Sequence, residues 1–133
     1  MKSRDSILII ICSLAVISML YPFLRREEER KELNECCGNV RVVARALDSY
    51  SADHDGHYPN ELGMLVPEYL QQLPRCSVSG TVTYQMDTGP RASRNTRDLQ
   101  DYYYVYCAGE NHLDAGVPPN HPGLESTAPV CLK

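Results

Sequence analysis

The pattern of apolar and polar residues divides the first part of the chain into three consecutive segments. Residues 7–24 form an apolar run, residues 25–32 are mostly charged, and residues 33–55 carry apolar positions spaced by three and four. That spacing is typical of a helix with one buried face. The expected buried stripe consists of Leu33, Cys37, Val40, Ala44, Leu47 and Ser51. The pattern predicts one long helix over residues 6–55, with a membrane-embedded first half and an amphipathic second half.

The apolar run has a length close to that of a membrane span. Its 18 residues extend about 27 Å as a helix, near the lower limit for crossing the hydrocarbon core. A cleavable secretory signal has a shorter apolar core followed by small residues, whereas Tyr-Pro-Phe-Leu-Arg-Arg ends this run. We therefore favour an uncleaved signal anchor, kinked at Pro22 near the membrane boundary. The transmembrane positions include Ile7, Leu14, Ile17, Leu20 and Pro22.

The distribution of basic residues does not decide the orientation of this anchor. Lys2 and Arg4 precede the apolar run, and four further basic residues follow it within residues 25–31. The positive-inside rule therefore gives no answer. The cysteines beyond the run favour an oxidising compartment. We expect residues 1–5 to be a cytoplasmic flank and the part beyond the membrane to lie outside the cytoplasm.

Residues 56–133 predict a small headpiece after the helix. Gly56 is placed to end the helix in the left-handed conformation. Asn60 is expected to cap a short helix over residues 61–65. Alternating β-branched and aromatic residues predict strands at residues 81–86 and 102–107. Beyond residue 108, Gly, Pro and Asn indicate irregular coil with room for one short strand, and the fold class is α+β.

The composition indicates a thin core that needs covalent support. The chain has one Phe, no Trp and nine Tyr, and its six cysteines favour disulfides. Cys12 lies in the apolar run, which leaves an odd number outside it and forces one free thiol or a bridge between chains. A zinc site is the competing interpretation, but no C-x-x-C or H-x-x-x-H spacing supports it. The disulfide candidates are Cys36, Cys37, Cys76, Cys107 and Cys131.

Charge and motifs narrow the functional classes. From residue 25 onward there are 11 basic and 16 acidic residues, a net charge of −5, which argues against a nucleic-acid partner. No phosphate-binding glycine loop, G-x-S-x-G motif or metal-binding helix is present. We therefore expect no enzyme activity, no cofactor, no metal and no small-molecule substrate.

Two local groups allow other interpretations. Asp53, His54, Asp55 and His57 are able to form a metal site, but a polar helix end is the plainer account. Cys107 and His112 are able to act as a thiol and its base in a redox enzyme. A disulfide from Cys107 explains that residue more simply.

The order of these segments resembles the type IV pilin and type II secretion pseudopilin superfamily. Three parts carry the resemblance: the Pro-Phe-Leu-Arg-Arg exit at residues 22–26, the segment 36–59 from Cys-Cys-Gly-Asn to Gly-His-Tyr-Pro, and residues 62–76. Tyr-Cys-Ala-Gly at 106–109 with His112 resembles the strand end of a small cysteine-rich branch. The resemblance implies a long helix packed on a small antiparallel sheet. It also implies a single-pass protein of the bacterial inner membrane, with a cytoplasmic N-terminus and a periplasmic or extracellular headpiece.

The resemblance also suggests disulfide pairings. The first choice is Cys76–Cys107, between the connector before the first strand and the end of the second. Either Cys36 or Cys37 is then expected to bridge to Cys131 and hold the tail on the helix.

The N-terminus departs from the family pattern. Pilin precursors carry a Gly at the processing site, then a Phe and later a Glu, whereas residues 1–5 read Met-Lys-Ser-Arg-Asp. Asp5 lies about where the family's Glu falls. Its carboxylate is a possible assembly group that neutralises the amino terminus of a neighbour. The plainer interpretation places Asp5 in the cytoplasmic flank.

The predicted function is structural. A membrane-anchored, pilin-like or pseudopilin-like protein acts by packing its helix with like helices and by lateral contacts of its headpiece. Its expected partners are the membrane, further copies of itself and other pilin-like subunits. The alternative is an uncleaved bitopic protein whose headpiece binds a ligand or partner outside the cytoplasm.

Overall fold

The computed structural model describes residues 2–89, 102–126 and 128–132, with backbone alone at residues 2–5, 128–130 and 132. Within these residues it has the predicted α+β architecture, with one long helix, two short 3-10 helices and a small sheet. In chain order the elements are α1 (Lys2–Asp53), a first 3-10 helix (Leu62–Leu65), β1 (Tyr84–Thr88), β2 (Tyr103–Cys107), a second 3-10 helix (Leu113–Ala115), β3 (Gly123–Glu125) and β4 (Ala128–Leu132).

The helix α1 is continuous over 52 residues and passes through Pro22, a length of about 78 Å. It ends where the sequence predicts. Gly56 takes the left-handed conformation with φ +88°, and its N–H donates to the carbonyl of Ser51 at 2.9 Å. A glycine at this position satisfies a free carbonyl at the helix end without a side-chain clash.

The first half of α1 is apolar on all sides. Every large apolar side chain described between residues 7 and 24 is more than half exposed. Within the described part of the chain, α1 is the one helix long and apolar enough to cross a membrane. The predicted transmembrane positions Ile7, Leu14, Ile17 and Leu20 all belong to this exposed set.

The second half of α1 buries one face against the sheet. All six positions of the predicted stripe are buried, whereas Val42 and Ser49 on the opposite face are exposed. The fully buried Val40, Val43 and Leu47 form the centre of this face. They belong to one core with side chains of β2, β3 and the first 3-10 helix. The amphipathic interpretation is confirmed.

The four strands form an antiparallel sheet in the order β1-β2-β3-β4. Tyr84 of β1 lies opposite Cys107 of β2, so the start of one strand meets the end of the next. Along β2, Tyr103, Val105 and Cys107 are buried and the residues between them are half-buried. This alternation gives the sheet one face for α1.

Several element bounds differ from the sequence prediction. α1 begins at Lys2 rather than residue 6. β1 covers Tyr84–Thr88 rather than residues 81–86, and Thr81 belongs instead to the turn closed by the Cys76–Thr81 hydrogen bond. The first 3-10 helix has Glu61, not Asn60, at its N-cap, and no side chain caps it there. β2 begins one residue later than predicted. The tail forms two strands, whereas the sequence leaves room for one. The sequence pattern does not reveal both strands, because Gly123 and Pro129 interrupt the alternation of side chains that identifies a strand.

Candidate metal centre

Three cysteines and one histidine meet inside the headpiece. Cys36, Cys76, Cys107 and His112 are all buried, and their ligand atoms lie within 4.8 Å of one another. Each comes from a different part of the chain: α1, the connector before β1, the end of β2 and the loop after β2. Within the described residues, this is the one group of potential metal ligands that converges so closely.

The connector is fixed to α1 on both sides of Cys36. The hydroxyl of Ser77 donates to the carbonyl of Glu32 at 2.8 Å, and the amide of Asn39 donates to the carbonyl of Arg75 at 2.9 Å. Glu32 and Asn39 lie about one helical turn before and after Cys36. These two hydrogen bonds therefore hold Cys76, between Arg75 and Ser77, against the helix at the level of Cys36.

A tight turn then orients Cys76. Its N–H donates to the carbonyl of Thr81, and its carbonyl accepts from the N–H of Gly80, both at 2.8 Å. Gly80 has φ +67°, a conformation that glycine adopts without strain. Both backbone polar groups of Cys76 are thus satisfied within the turn, and its thiol points into the core with the residue 1% exposed.

The loop after β2 supplies His112. Cys107 ends β2, and the side-chain amide of Asn111 donates to the carbonyl of Ala108 at 3.0 Å, which closes the loop. The carbonyl of His112 accepts from the N–H groups of Ala115 and Val117. The imidazole reaches back into the core, where its Nε2 lies 3.6 Å from the sulfur of Cys76.

Hydrogen-bond donors surround the sulfur of Cys107. Hydrogen bonds from the Cys36 thiol, the Thr83 hydroxyl and the Asn111 amide lower the pKa of Cys107 to about 5 against the opposing effect of burial. The Thr83 and Asn111 donors lie 3.1 and 3.6 Å from this sulfur. The pKa of Cys36 is raised by its hydrogen bond to Cys107 and by burial. The two thiols are therefore shifted in opposite directions, with the pKa lowered at Cys107 and raised at Cys36.

Tyr84 provides one more contact to the group. Its hydroxyl lies 3.1 Å from the sulfur of Cys36. Burial, followed by the hydrogen bond to Cys36, raises the pKa of Tyr84. Tyr84 therefore keeps its proton and remains available as a donor to that sulfur.

The chemistry of the group follows from its donors and its burial. Thiolate and imidazole are the ligands that zinc prefers in proteins. Each of the three cysteines is at most 1% exposed, so their sulfurs are poorly placed to attack a substrate from solution. The arrangement is better suited to holding an ion than to nucleophilic catalysis.

The disulfide predictions are met in part. Cys37 and Cys131 form a disulfide with a Cα–Cα distance of 5.9 Å, one of the two pairings expected for Cys131. It fixes β4 to α1. The expected Cys76–Cys107 bridge is absent, since both residues are free thiols together with Cys12 and Cys36. Cys36 faces the core next to these two sulfurs, whereas Cys37 lies about 100° away around the helix.

The structure also shows the surroundings of the polar group at residues 53–57 and of the pair Cys107 and His112. The ring of His54 stacks on Tyr50 with centroids 3.8 Å apart, and Asp53 accepts a hydrogen bond from the hydroxyl of Tyr69 at 3.1 Å. These contacts agree with a polar helix end. Nε2 of His112 contacts the sulfur of Cys76. The sulfur of Cys107, which lies five residues before His112 in the sequence, contacts the side chains of Thr83 and Asn111. The side chain of Asp5 lies outside the described part of the chain.

Sequence reasoning missed this site because its ligands have no local spacing. They are separated by 40, 31 and 5 residues along the chain, and only Cys107 and His112 are close enough to form a motif. Cys107 and His112 are therefore the one signal of this site in the sequence. Taken alone, this pair favours a different interpretation, a catalytic thiol and its base.

The architecture matches the prediction at the level of an α+β fold, with a long helix packed on a small antiparallel sheet. Comparisons of this chain with protein families, curated proteins and solved structures find no match.

Proposed function

We propose that this is a membrane-anchored structural protein of the pilin or pseudopilin type, which works by assembly. The observation that carries the proposal is the continuous helix α1. One helix of 52 residues joins a first half, whose large apolar side chains are exposed within the described part of the chain, to a second half packed on a small antiparallel sheet. No linker separates the two parts.

The exposed half of α1 needs an apolar surrounding. Large apolar side chains on every side of the helix are stable in lipid or against other apolar helices. In an assembly, this half packs with like helices in the membrane or in a filament core. The packed half meanwhile holds the headpiece at a fixed position along the helix, where it offers lateral contacts to neighbouring subunits.

The proposed location is the bacterial inner membrane, with the N-terminus in the cytoplasm and the headpiece outside. The Cys37–Cys131 disulfide supports this orientation, because disulfides persist in oxidising compartments. An alkaline phosphatase fusion after the headpiece should be active in whole cells. The same fusion placed before the apolar run should be inactive.

Self-association in the membrane tests the proposal directly. Two copies with different tags are expressed together, each with a photo-crosslinking residue at Leu14 in the exposed half of α1. We expect irradiated membranes to yield a product that carries both tags or a product with another pilin-like subunit. Copies expressed separately and mixed after solubilisation should give no such product. A chain that remains monomeric in membranes and in mild detergent contradicts the proposal.

A second candidate is a bitopic protein whose headpiece binds a partner and forms no filament. The observation in its favour is that the headpiece builds a buried core on the second half of α1 alone, without a contribution from the apolar first half. Intact mass and N-terminal sequencing of the native protein separate the two candidates. A chain shortened by a few residues and methylated at its new terminus supports assembly, and a chain that begins at Met1 supports the bitopic protein.

A further inference from the structure

We propose that Cys36, Cys76, Cys107 and His112 bind one Zn²⁺ ion in a closed structural site inside the headpiece. This inference depends on the headpiece alone and does not require the assembly function. The site would join α1, the connector, β2 and the following loop through a single ion.

The distances agree with tetrahedral coordination. With Zn–S bonds of about 2.3 Å and a Zn–N bond of about 2.05 Å, the sulfur and nitrogen of a tetrahedral site lie about 3.6 Å apart. The sulfur of Cys76 and Nε2 of His112 are 3.6 Å apart. Sulfurs in the same geometry are separated by about 3.8 Å, and the largest separation in the group is 4.8 Å. An ion therefore fits after a contraction of at most about one ångström at the widest pair.

The number of ligands favours a metal over a second disulfide. A disulfide joins two sulfurs and would leave the third cysteine and His112 buried beside it with no shared role. One zinc ion uses all four side chains. It also accounts for the odd number of cysteines beyond the apolar run, since two form the Cys37–Cys131 bridge and three bind the ion.

The surrounding groups suit the charge of such a site. Binding displaces up to three thiol protons to solvent, and three thiolates around Zn²⁺ carry a net charge of −1. A buried negative charge needs hydrogen-bond donors around it. The hydroxyls of Thr83 and Tyr84 lie 3.1 Å from the sulfurs of Cys107 and Cys36, and the Asn111 amide lies 3.6 Å from Cys107.

A groove next to His112 offers a route for a cation. Its lining includes four carboxylates and one guanidinium, a local excess of negative charge that attracts cations. The groove lies where the charged segment of α1 faces the loop after β2. The charged residues are Arg25, Glu28, Glu29, Glu32 and Asp114.

The set of four protein ligands defines the role of the ion. A catalytic zinc keeps one position open for water, whereas structural sites are closed by four side chains. Here all four positions are filled by residues that are at most 3% exposed. The zinc therefore stabilises the headpiece, as structural zinc does in other small domains.

Metal analysis of the full chain is the first test. The protein is purified from membranes in detergent with a tag free of histidine, and its metals are measured by mass spectrometry. We expect about one zinc per chain. A wild-type chain without zinc that also fails to bind added zinc under reducing conditions overturns the proposal. A chain that holds iron or copper in its place overturns the assignment to zinc.

Matched variants test the ligands. Cys76→Ser and His112→Ala should each lower the zinc content at least tenfold. Cys12→Ser and His57→Ala change the same residue types at exposed positions and should leave one zinc per chain. Equal loss in the control variants, or full retention in the ligand variants, contradicts the assignment.

Two measurements on the wild-type chain avoid the question of whether a variant folds. X-ray absorption at the zinc edge should give three sulfurs at about 2.3 Å and one nitrogen at about 2.0–2.1 Å. Peptide mapping without reduction should find one disulfide, Cys37–Cys131. A second disulfide between any two of the three cysteine ligands in the native protein overturns the proposal.

Discussion

The two halves of α1 are both helical, but their apolar side chains lie in different surroundings. In the first half, large apolar side chains point in every direction and remain exposed, as Leu14 does at 60%. In the second half, apolar side chains form one stripe that is removed from solvent, as Leu47 is at 0%. The backbone hydrogen bonds within α1 are the same type in both halves.

The difference shows that helix formation and helix stabilisation have different sources in this protein. The second half is held by its contacts with the sheet, because most helical stability in proteins comes from packing of one face. The first half has no such contacts in the described structure. We therefore expect its stability to come from the lipid or from other apolar helices. Paired substitutions on the two halves test this directly.

The largest expected difference concerns two cysteines of α1. Cys37 closes a loop with a sequence separation of 94, and loss of such a cross-link is expected to cost about 4.5 kcal/mol in the chain-entropy model. Cys37→Ser should therefore lower the free energy of unfolding of the headpiece strongly. Cys12 is free and exposed, so Cys12→Ser should have no measurable effect. Urea denaturation in detergent, followed by tyrosine circular dichroism, measures both.

The second comparison uses the same truncation on both halves. Leu47→Ala leaves a cavity in the core and should lower the unfolding free energy by about 3 to 4 kcal/mol. Leu14→Ala removes the same atoms from an exposed site and should leave headpiece unfolding unchanged. Equal losses in the two variants would mean that the halves do not differ as described.

An introduced arginine should have a larger effect in the first half of α1 than in the second, the opposite of the order expected for the leucine truncations. Leu14→Arg places a cation within the apolar run and should disfavour membrane insertion by about 3 kcal/mol. Val42→Arg places it on the packed half at a position that is 45% exposed, where water remains accessible. Alkaline carbonate extraction should release a larger fraction of the first variant than of the second. Retention of both to the same extent contradicts a membrane-spanning first half.

A smaller effect is expected where the sheet contacts the packed half. The hydroxyl of Tyr103 donates to Asp48 Oδ1 at 3.2 Å, and Tyr103→Phe removes this part-buried hydrogen bond at a cost of about 1 kcal/mol. Tyr106 is the control, because its hydroxyl donates to Gln85 at the exposed face. Tyr106→Phe should change the unfolding free energy by less than about 0.5 kcal/mol.

The smallest effect is a pH dependence. Burial, followed by the charge of Asp48, raises the pKa of Tyr103. The folded state therefore holds this proton at a pH where the unfolded chain releases it, so stability is full below about pH 10 and falls above it. Tyr103→Phe should reduce this alkaline slope. An unchanged slope between pH 9 and 11 would show that Tyr103 does not contribute to it.

The sequence predicts the elements that have a clear period. The three-and-four spacing of Leu33, Cys37 and Val40 identifies the buried face of α1, and the β-branched and aromatic residues at 102–107 identify β2. The sequence predicts no bounds for β3 and β4, because Gly123 and Pro129 interrupt any regular pattern there. The start of β1 is displaced because Thr81 has strand character but belongs to the turn closed by the Cys76–Thr81 hydrogen bond.

The candidate metal site depends on information that a sequence pattern does not contain. Cys36 and Cys37 are adjacent, and their sequence does not say which of them faces the core. The answer depends on the angle at which α1 lies on the sheet. Likewise, His112 meets Cys76 only because the Ser77–Glu32 and Asn39–Arg75 hydrogen bonds bring the connector to the helix.

The continuity of α1 fixes the headpiece and the apolar first half of the helix at one rotation angle relative to each other. Each residue of an α-helix turns the chain by about 100° and advances it by about 1.5 Å. The face of α1 that meets the sheet therefore determines the direction in which each apolar side chain of the first half points. Any partner that binds both regions must match that angle and that height together. A single inserted residue within the charged segment 25–32 would rotate the headpiece by more than a quarter turn while leaving both contact surfaces intact.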